Sequence, residues 1–119
     1  EVQIIIPHIP DKKYVYAVTR AFAKELSSSG VQFYEFMPGF MHSKCVICDD
    51  EVFLGSYNFD FRSMHLNYEC GILFNGDMCE RAERDFQDCF KLSAPLLHGK
   101  ATPAKRLTRF FLKIFAPLI

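Results

Sequence analysis

The fold of this chain is decided by residues His42–Asp49, which read HSKCVICD, and by residues Gly55–Asn58, which read GSYN. We predict a strand over 41–48, and a strand places every second side chain on the same face. His42 and Lys44 therefore project together. An imidazole beside an ammonium suits an anionic substrate, because lysine supplies charge and histidine supplies a nucleophile or a transferable proton. The stretch indicates a phosphate site built on a strand.

The residues after this strand add groups of the kind that a phosphate site needs. Gly55 leaves room for a ligand to approach the backbone, and Ser56 and Asn58 offer neutral donors to phosphate oxygens. Glu69 follows in a strand predicted over 67–74. We predict that its carboxylate holds one ring nitrogen of His42 and fixes the tautomer, as the orienting acid of a triad does. Each residue alone fits an exposed strand or turn, so the prediction depends on their joint spacing.

The rest of the chain alternates between strand and helix patterns. Further strands are predicted over 2–6, 31–36 and 52–54, and a short helical turn is predicted within 56–64. Two amphipathic helices are predicted, the first ending near Gly30 and the second near Leu92. Alternating elements of this kind indicate an α/β fold in which a mixed β-sheet is flanked by helices.

Helix starts and inward faces can also be predicted. Asp11 is the predicted N-cap of the first helix, and Asp77 with Glu80 resembles a capping box at the second. The inward stripe of the first helix is Val15, Val18, Phe22 and Leu26, and that of the second is Ala82, Phe86, Cys89 and Phe90.

The C-terminal part is predicted to be a separate unit, so we divide the chain into 1–98 and 99–119. A linker over 93–103 contains two prolines and a glycine and leads into a basic amphipathic helix. Its apolar stripe is Leu107, Phe110, Phe111, Ile114, Phe115 and Leu118, and the basic Lys105, Arg106, Arg109 and Lys113 fall elsewhere. Binding to an anionic bilayer, docking onto the protein's own surface and docking onto missing parts of a longer protein are all consistent with this pattern.

Composition excludes several classes of protein. The 119 residues suffice for one small domain, and 14 basic against 14 acidic residues argue against a dedicated DNA-binding domain. Five cysteines without a secreted pattern favour a reducing, cytoplasmic setting. Cys45 and Cys48 point to opposite faces of a strand, so we predict small hydrophobes there and no metal site. The chain starts directly on a strand with Glu1, and we interpret it as a piece of a longer protein.

The two opening stretches resemble the HKD motif of the phospholipase D superfamily. The match comprises His42, Lys44 and Asp49 and then GSYNFDFRS over 55–63. The extension through Arg62 and Ser63, followed by Asn67-x-Glu69, is similar to bacterial cardiolipin synthases, and the flanks 4–10 and 30–40 agree. The resemblance covers nearly the whole chain and implies one half of a phospholipase D-like fold.

The resemblance implies a phosphatidyl transfer between two phosphatidylglycerol molecules that yields cardiolipin and glycerol through a phosphohistidine. His42 would attack phosphorus or protonate the leaving alcohol. Lys44, Ser56 and Asn58 would hold the phosphate, Glu69 would orient His42, and Asp49 would brace the turn. No metal or other cofactor is implied.

The chain carries the motif once, whereas the resemblance implies two histidines facing one phosphate. His8 and His65 lack the lysine, and His98 precedes a lysine only within the linker, so we reject all three as a second motif. For His8 we favour a plain loop histidine over a residue that lines the pocket edge. A second HKD half is therefore expected from an absent N-terminal region, which we favour, or from a homodimer mate.

The resemblance also sets expectations for partners and location. We expect an anionic phospholipid substrate, a membrane surface and no nucleic acid, at the cytoplasmic side of a bacterial inner membrane, with the anchor outside this chain. No apolar run of about 18 residues occurs. The alternatives are a dimeric endonuclease or phosphodiesterase of the same superfamily and a non-catalytic lipid-binding fragment.

Overall fold

A computed structural model describes residues 1–97, 99 and 102–114, with the side chains of 103–106 and 109 left out. The elements are β1 (Gln3–Pro7), α1 (Lys13–Ser27), β2 (Gln32–Phe36), β3 (Cys45–Cys48), β4 (Glu51–Gly55), α2 (Phe61–His65), β5 (Gly71–Asn75), α3 (Asp77–Lys91), β6 (Ser93–Pro95) and α4 (Pro103–Ile114). The predicted α/β class, with sheets flanked by helices, is confirmed. His98 and the stripe residues Phe115 and Leu118 lie outside the described residues.

The first sheet has the strand order β1-β2-β6. β1 and β2 run parallel, which requires a crossover, and α1 supplies it. β6 pairs antiparallel with β2, so the prediction of a linker beginning at residue 93 is wrong for Ser93–Pro95. The core of this half joins Ile6, Ala23, Phe33 and Leu96. The chain therefore remains part of the packed body through Leu96.

The second sheet is an antiparallel meander with the order β3-β4-β5. Val52 in its central strand is fully buried and pairs with Ile47 on one side and Phe74 on the other. α3 packs against this sheet, and its predicted inward residues Ala82, Phe86, Cys89 and Phe90 are all partly buried. Cys79, one turn earlier on the same face, is buried and was missed by the prediction.

Two strands next to the predicted site are shorter than predicted. β3 begins at Cys45 rather than at 41. Its partner β4 ends at Gly55, whose N–H donates to the carbonyl of Lys44, so β4 does not continue beside residues 41–43. β5 begins at Gly71 rather than at 67, because the N–H of Cys70 donates to the hydroxyl of Ser56 instead of to a backbone carbonyl. Both site segments therefore lie just outside the sheet.

Helix starts differ from the prediction at both long helices. Lys12, in an extended conformation, is the N-cap of α1, so the assignment of Asp11 is wrong. Gly76 caps α3 at a φ of 69°, a left-handed value that glycine adopts readily, so Asp77 is the first helical residue rather than the cap. The predicted short helical turn is confirmed as α2, where the Asp60 side chain accepts from the N–H of Ser63 at 2.7 Å.

The predicted inward stripe of α1 is only partly inward. Val18 is buried, but Phe22 and Leu26 remain 41% and 44% exposed. α1 instead approaches the first sheet through the small Ala23, which is fully buried. None of the described helices has the length and apolarity that crossing a bilayer requires.

A glycine pair at the site end of the second sheet accommodates one aromatic ring. Gly55 and Gly71 face each other across β4 and β5, and the ring of Phe53 lies over them. A Cβ added at Gly71 would stand 2.0 Å from Phe53 Cζ, and one at Gly55 would stand 2.7 Å from Phe53 Cε1. The space that these glycines leave is therefore filled from within the protein, so Gly55 does not offer it to a ligand as predicted.

Replacing Gly71 with alanine is expected to destabilise the fold by about 1–3 kcal/mol, because the ring must leave its position. Urea unfolding followed by circular dichroism would measure this. Gly39→Ala is the matched control, since no heavy atom lies within 4 Å of its added Cβ. In a Phe53→Ala background the cost of Gly71→Ala should largely vanish. An equal cost in both backgrounds would show that the ring is not the cause.

Candidate active site

Three segments bring the predicted site residues to one end of the second sheet. β3 and β5 both begin at this end and β4 finishes there, because neighbouring strands run antiparallel. His42 and Lys44 precede β3, Ser56 and Asn58 follow β4, and Glu69 precedes β5. The meander thus collects residues that are up to 27 positions apart in sequence.

His42 and Lys44 are in direct contact. Lys44 Nζ lies 3.0 Å from each ring nitrogen of His42 and donates to its backbone carbonyl at 2.9 Å. Because an ammonium only donates, a ring nitrogen that receives it must carry a lone pair. A ring nitrogen with a lone pair is also what nucleophilic attack requires.

Phe40 also contacts the imidazole of His42, and this contact was not predicted from the sequence. The two rings are stacked, with centroids 5.8 Å apart and an angle of 20° between their planes. Phe40 is two residues before His42, so the same alternation that pairs His42 with Lys44 could have predicted it. Phe40 and Lys44 together restrict the orientation of an otherwise exposed ring.

Ser56 is held by the segment that enters β5. Its backbone N–H donates to the carbonyl of Cys70 at 2.9 Å, and its hydroxyl receives the N–H of Cys70 at 3.1 Å. The same hydroxyl donates to Glu69 Oε2 at 2.5 Å. The Ser56 hydroxyl therefore has a fixed position at the edge of the site.

Glu69 is stabilised as a carboxylate. The hydroxyl of Ser56 lowers its pKa most, followed by Ser63 and Asn67, whose amide donates at 3.2 Å, and the positive charge of Lys44 acts in the same direction. These donors and charges favour the ionised form. No hydrogen bond or ion pair joins Glu69 to His42 within the part of the chain that the structure describes, so the predicted orienting bond stays a prediction.

Ser63 belongs to the quoted motif, but no role was predicted for it from the sequence. It is only 6% exposed, and its hydroxyl has no partner of ordinary hydrogen-bond geometry among the described residues. It still lies near enough to Glu69 to help lower the pKa of that carboxyl. Burial of Ser63 depends on how α2 folds back, which a local pattern does not reveal.

The remaining two predicted site residues, Asn58 and Asp49, form no hydrogen bond with this cluster within the described part of the chain. Asn58 is exposed, and its side chain makes no hydrogen bond to any described residue. Asp49 forms the hairpin turn at the other end of β3, with a φ of 51°. It is about 16 Å of extended chain away from Lys44, in keeping with the structural role that the resemblance implies.

Other titratable groups do not converge near this end of the sheet in a way that suggests a metal. Within the described ranges, no three His, Cys, Asp or Glu side chains are placed to hold a metal ion. His8 belongs to the first sheet, where its Nδ1 lies 3.7 Å from Glu35, and Arg20 pairs with the same carboxylate at 2.8 Å.

Comparison with known protein families matches residues 1–90 to the family described as cardiolipin synthase, PLD-like domain. Cardiolipin synthase 2 of Bacillus cereus is 37% identical over 111 residues, which are 92% of this chain and 21% of that protein. A cardiolipin synthase of a Geobacillus species is 39% identical over 98 residues, 81% of this chain and 20% of that protein. The chain thus spans about a fifth of the length of these relatives.

Among solved structures, the phosphatidylserine synthase of Haemophilus influenzae Rd KW20 has the same fold over 99% of this chain and 33% of its own, with a TM-score of 0.60 and 19% identity. The two three-stranded sheets with their flanking helices therefore correspond to part of a larger fold in that protein.

Proposed function

The chain belongs to the phospholipase D superfamily, in its family of cardiolipin synthase PLD-like domains, and from this premise we propose that it supplies one half of a phosphatidyltransferase active site. The substrate class is an anionic phospholipid, with phosphatidylglycerol as both donor and acceptor. The products are cardiolipin and glycerol.

The contact between Lys44 and His42 is the observation that carries this proposal. In the first step a ring nitrogen of His42 bonds to phosphorus, while the bond from phosphorus to the oxygen of the headgroup glycerol breaks. The leaving glycerol takes a proton from a second histidine. In the second step that histidine removes a proton from the headgroup hydroxyl of another phosphatidylglycerol, whose oxygen displaces His42 from phosphorus. If the roles are exchanged, His42 is the acid and base.

The other site residues act on the phosphate and on its surroundings. Lys44 balances the charge that accumulates on the phosphoryl oxygens, and the exposed amide of Asn58 is free to donate to them. Ser56 completes the set when its O–H rotates from Glu69 toward the phosphate, while the N–H of Cys70 keeps its oxygen in place. Glu69 orients His42 in the assembled site, and Asp49 supports the turn behind the motif.

A second HKD half completes this site. Large apolar side chains are exposed in the segment between Ser56 and Glu69, namely Phe59, Met64, Leu66 and Tyr68. Exposed apolar clusters of this kind are typical of interaction surfaces. We propose that they face the second half, which comes from an N-terminal region of a longer chain or from a homodimer mate. The assembled enzyme works at the cytoplasmic side of the inner membrane and takes no nucleic acid.

Cardiolipin formation in phosphatidylglycerol micelles tests the proposal, with cardiolipin measured by mass spectrometry and released glycerol measured enzymatically. The chain is assayed alone over a range of concentrations and then with the part of the Bacillus cereus relative that lies outside the region matched by this chain. We expect turnover when the second half is added. Turnover of the chain alone, rising with the square of its concentration, would indicate the homodimer instead.

Two results would contradict the proposal. Cleavage of DNA or of a simple phosphodiester without cardiolipin formation would identify an endonuclease or phosphodiesterase. Binding of phosphatidylglycerol without turnover in any combination would identify a lipid-binding fragment.

A further inference from the structure

Among the described side chains of α4, those that contact the body of the protein lie on one side of the helix. Lys113 pairs with Glu25 of α1, and its Nζ lies 4.6 Å from the centroid of the Phe22 ring. Leu112 and Lys113 are partly buried. These contacts identify the side of the helix that faces α1.

The outward side of α4 is apolar. Leu107, Phe110, Phe111 and Ile114 are 60%, 60%, 52% and 56% exposed. Their spacing of three and four residues places them on one helical face. Four large apolar side chains on one face are thus left uncovered by the described body, and we define them as the outward face of α4.

The charge of the chain is separated between α4 and the body. Residues 103–119 hold four basic residues and no acidic one, a charge of +4. The remaining residues hold 10 basic and 14 acidic, which is 10 − 14 = −4. If a second copy of α4 packed against the outward face, the two positively charged helices would repel each other. A negatively charged surface is therefore the better binding partner for this face.

We propose that the outward face of α4 binds the surface of an anionic bilayer. Its apolar side chains enter the boundary between headgroups and acyl chains, while the net positive charge of residues 103–119 attracts the helix to the lipid phosphates. At about 18 Å for its 12 residues, α4 is too short to span a bilayer and lies in its plane. The proposal relies on the proposed function only in taking phosphatidylglycerol as the lipid.

Vesicle sedimentation tests the proposal with the whole chain. Vesicles of phosphatidylglycerol mixed with phosphatidylcholine are compared with pure phosphatidylcholine, and we expect binding to the anionic vesicles that weakens with salt. The double variant Phe110→Ser/Ile114→Ser should lose roughly tenfold or more in affinity. Met78→Ser on α3, at a residue that is 52% exposed, is the control and should bind like the unaltered chain. The melting temperature of each variant checks that the fold is intact.

Other results separate this inference from its rivals and from the proposed function. Unchanged vesicle binding by the double variant would overturn it, as would a dimer that forms without lipid and is lost in the double variant. His42→Asn should bind vesicles like the unaltered chain. Absence of turnover together with binding that depends on the outward face would contradict the proposed function and leave this inference standing.

Discussion

Replacing His42 with asparagine is expected to lower the rate of cardiolipin formation by about 10³- to 10⁴-fold without disturbing the fold. The ring is exposed, so the change should alter the free energy of unfolding by less than about 0.5 kcal/mol. Asparagine retains polarity but can neither form a phosphohistidine nor relay a proton. The loss should appear in kcat, because His42 acts on the reacting phosphorus.

The measurement uses the active combination of halves found in the micelle assay. His8→Asn is the matched control, because His8 is also exposed and its ring lies beside Glu35 of β2 in the first sheet rather than in the site. Control activity should be within about twofold of the unaltered chain. Undiminished synthesis by the His42 variant would remove His42 from the mechanism.

The same variant can assign the two histidine roles. If His42 is the nucleophile, mass spectrometry of the rapidly quenched, unaltered enzyme should find the phosphatidyl group on the peptide that contains His42. If His42 is the acid and base, the group should be found on the histidine of the other half, and both its formation and its breakdown should slow when His42 is replaced. Either result fits the proposed chemistry, and a covalent adduct at neither histidine would contradict it.

Pattern-based prediction succeeded where the signal is periodic. The four predicted inward residues of α3 are all partly buried, because a packed helix buries residues that are three and four apart, but the buried Cys79 on the same face was not predicted. Helix starts failed at Asp11 and Asp77. A cap preference is weak and local, and the entry of the chain from the preceding strand decided where each helix began.

The candidate site was predictable in its local pairs and not in its long-range contacts. The shared face of His42 and Lys44 follows from alternation along an extended chain. The bond between Ser56 and Glu69 depends on the register that sets Gly55 opposite Gly71, and sequence spacing alone does not fix that register. For the same reason the bonds that Ser56 and Asn67 donate to Glu69 were not predicted, while the orienting bond from Glu69 to His42 stays a prediction.

Replacing Lys44 with methionine is expected to lower kcat/KM for phosphatidylglycerol by about 10²- to 10³-fold. Methionine keeps the apolar length of this partly buried side chain and removes the charge, so the fold should persist. Lys24→Met, at an exposed position near the end of α1, is the control for the loss of one positive charge.

The division of this loss between kcat and KM decides what Lys44 does. If the ammonium balances charge that grows on phosphorus, kcat must fall, because only interactions that strengthen in the transition state accelerate the step. If it merely attracts the anionic lipid, KM should rise while kcat is unchanged. We expect the first result, since Lys44 Nζ contacts the imidazole of His42, which in either role acts next to the reacting phosphorus. A rise in KM alone would make Lys44 a binding residue, and an unaltered kcat/KM would exclude it from the site.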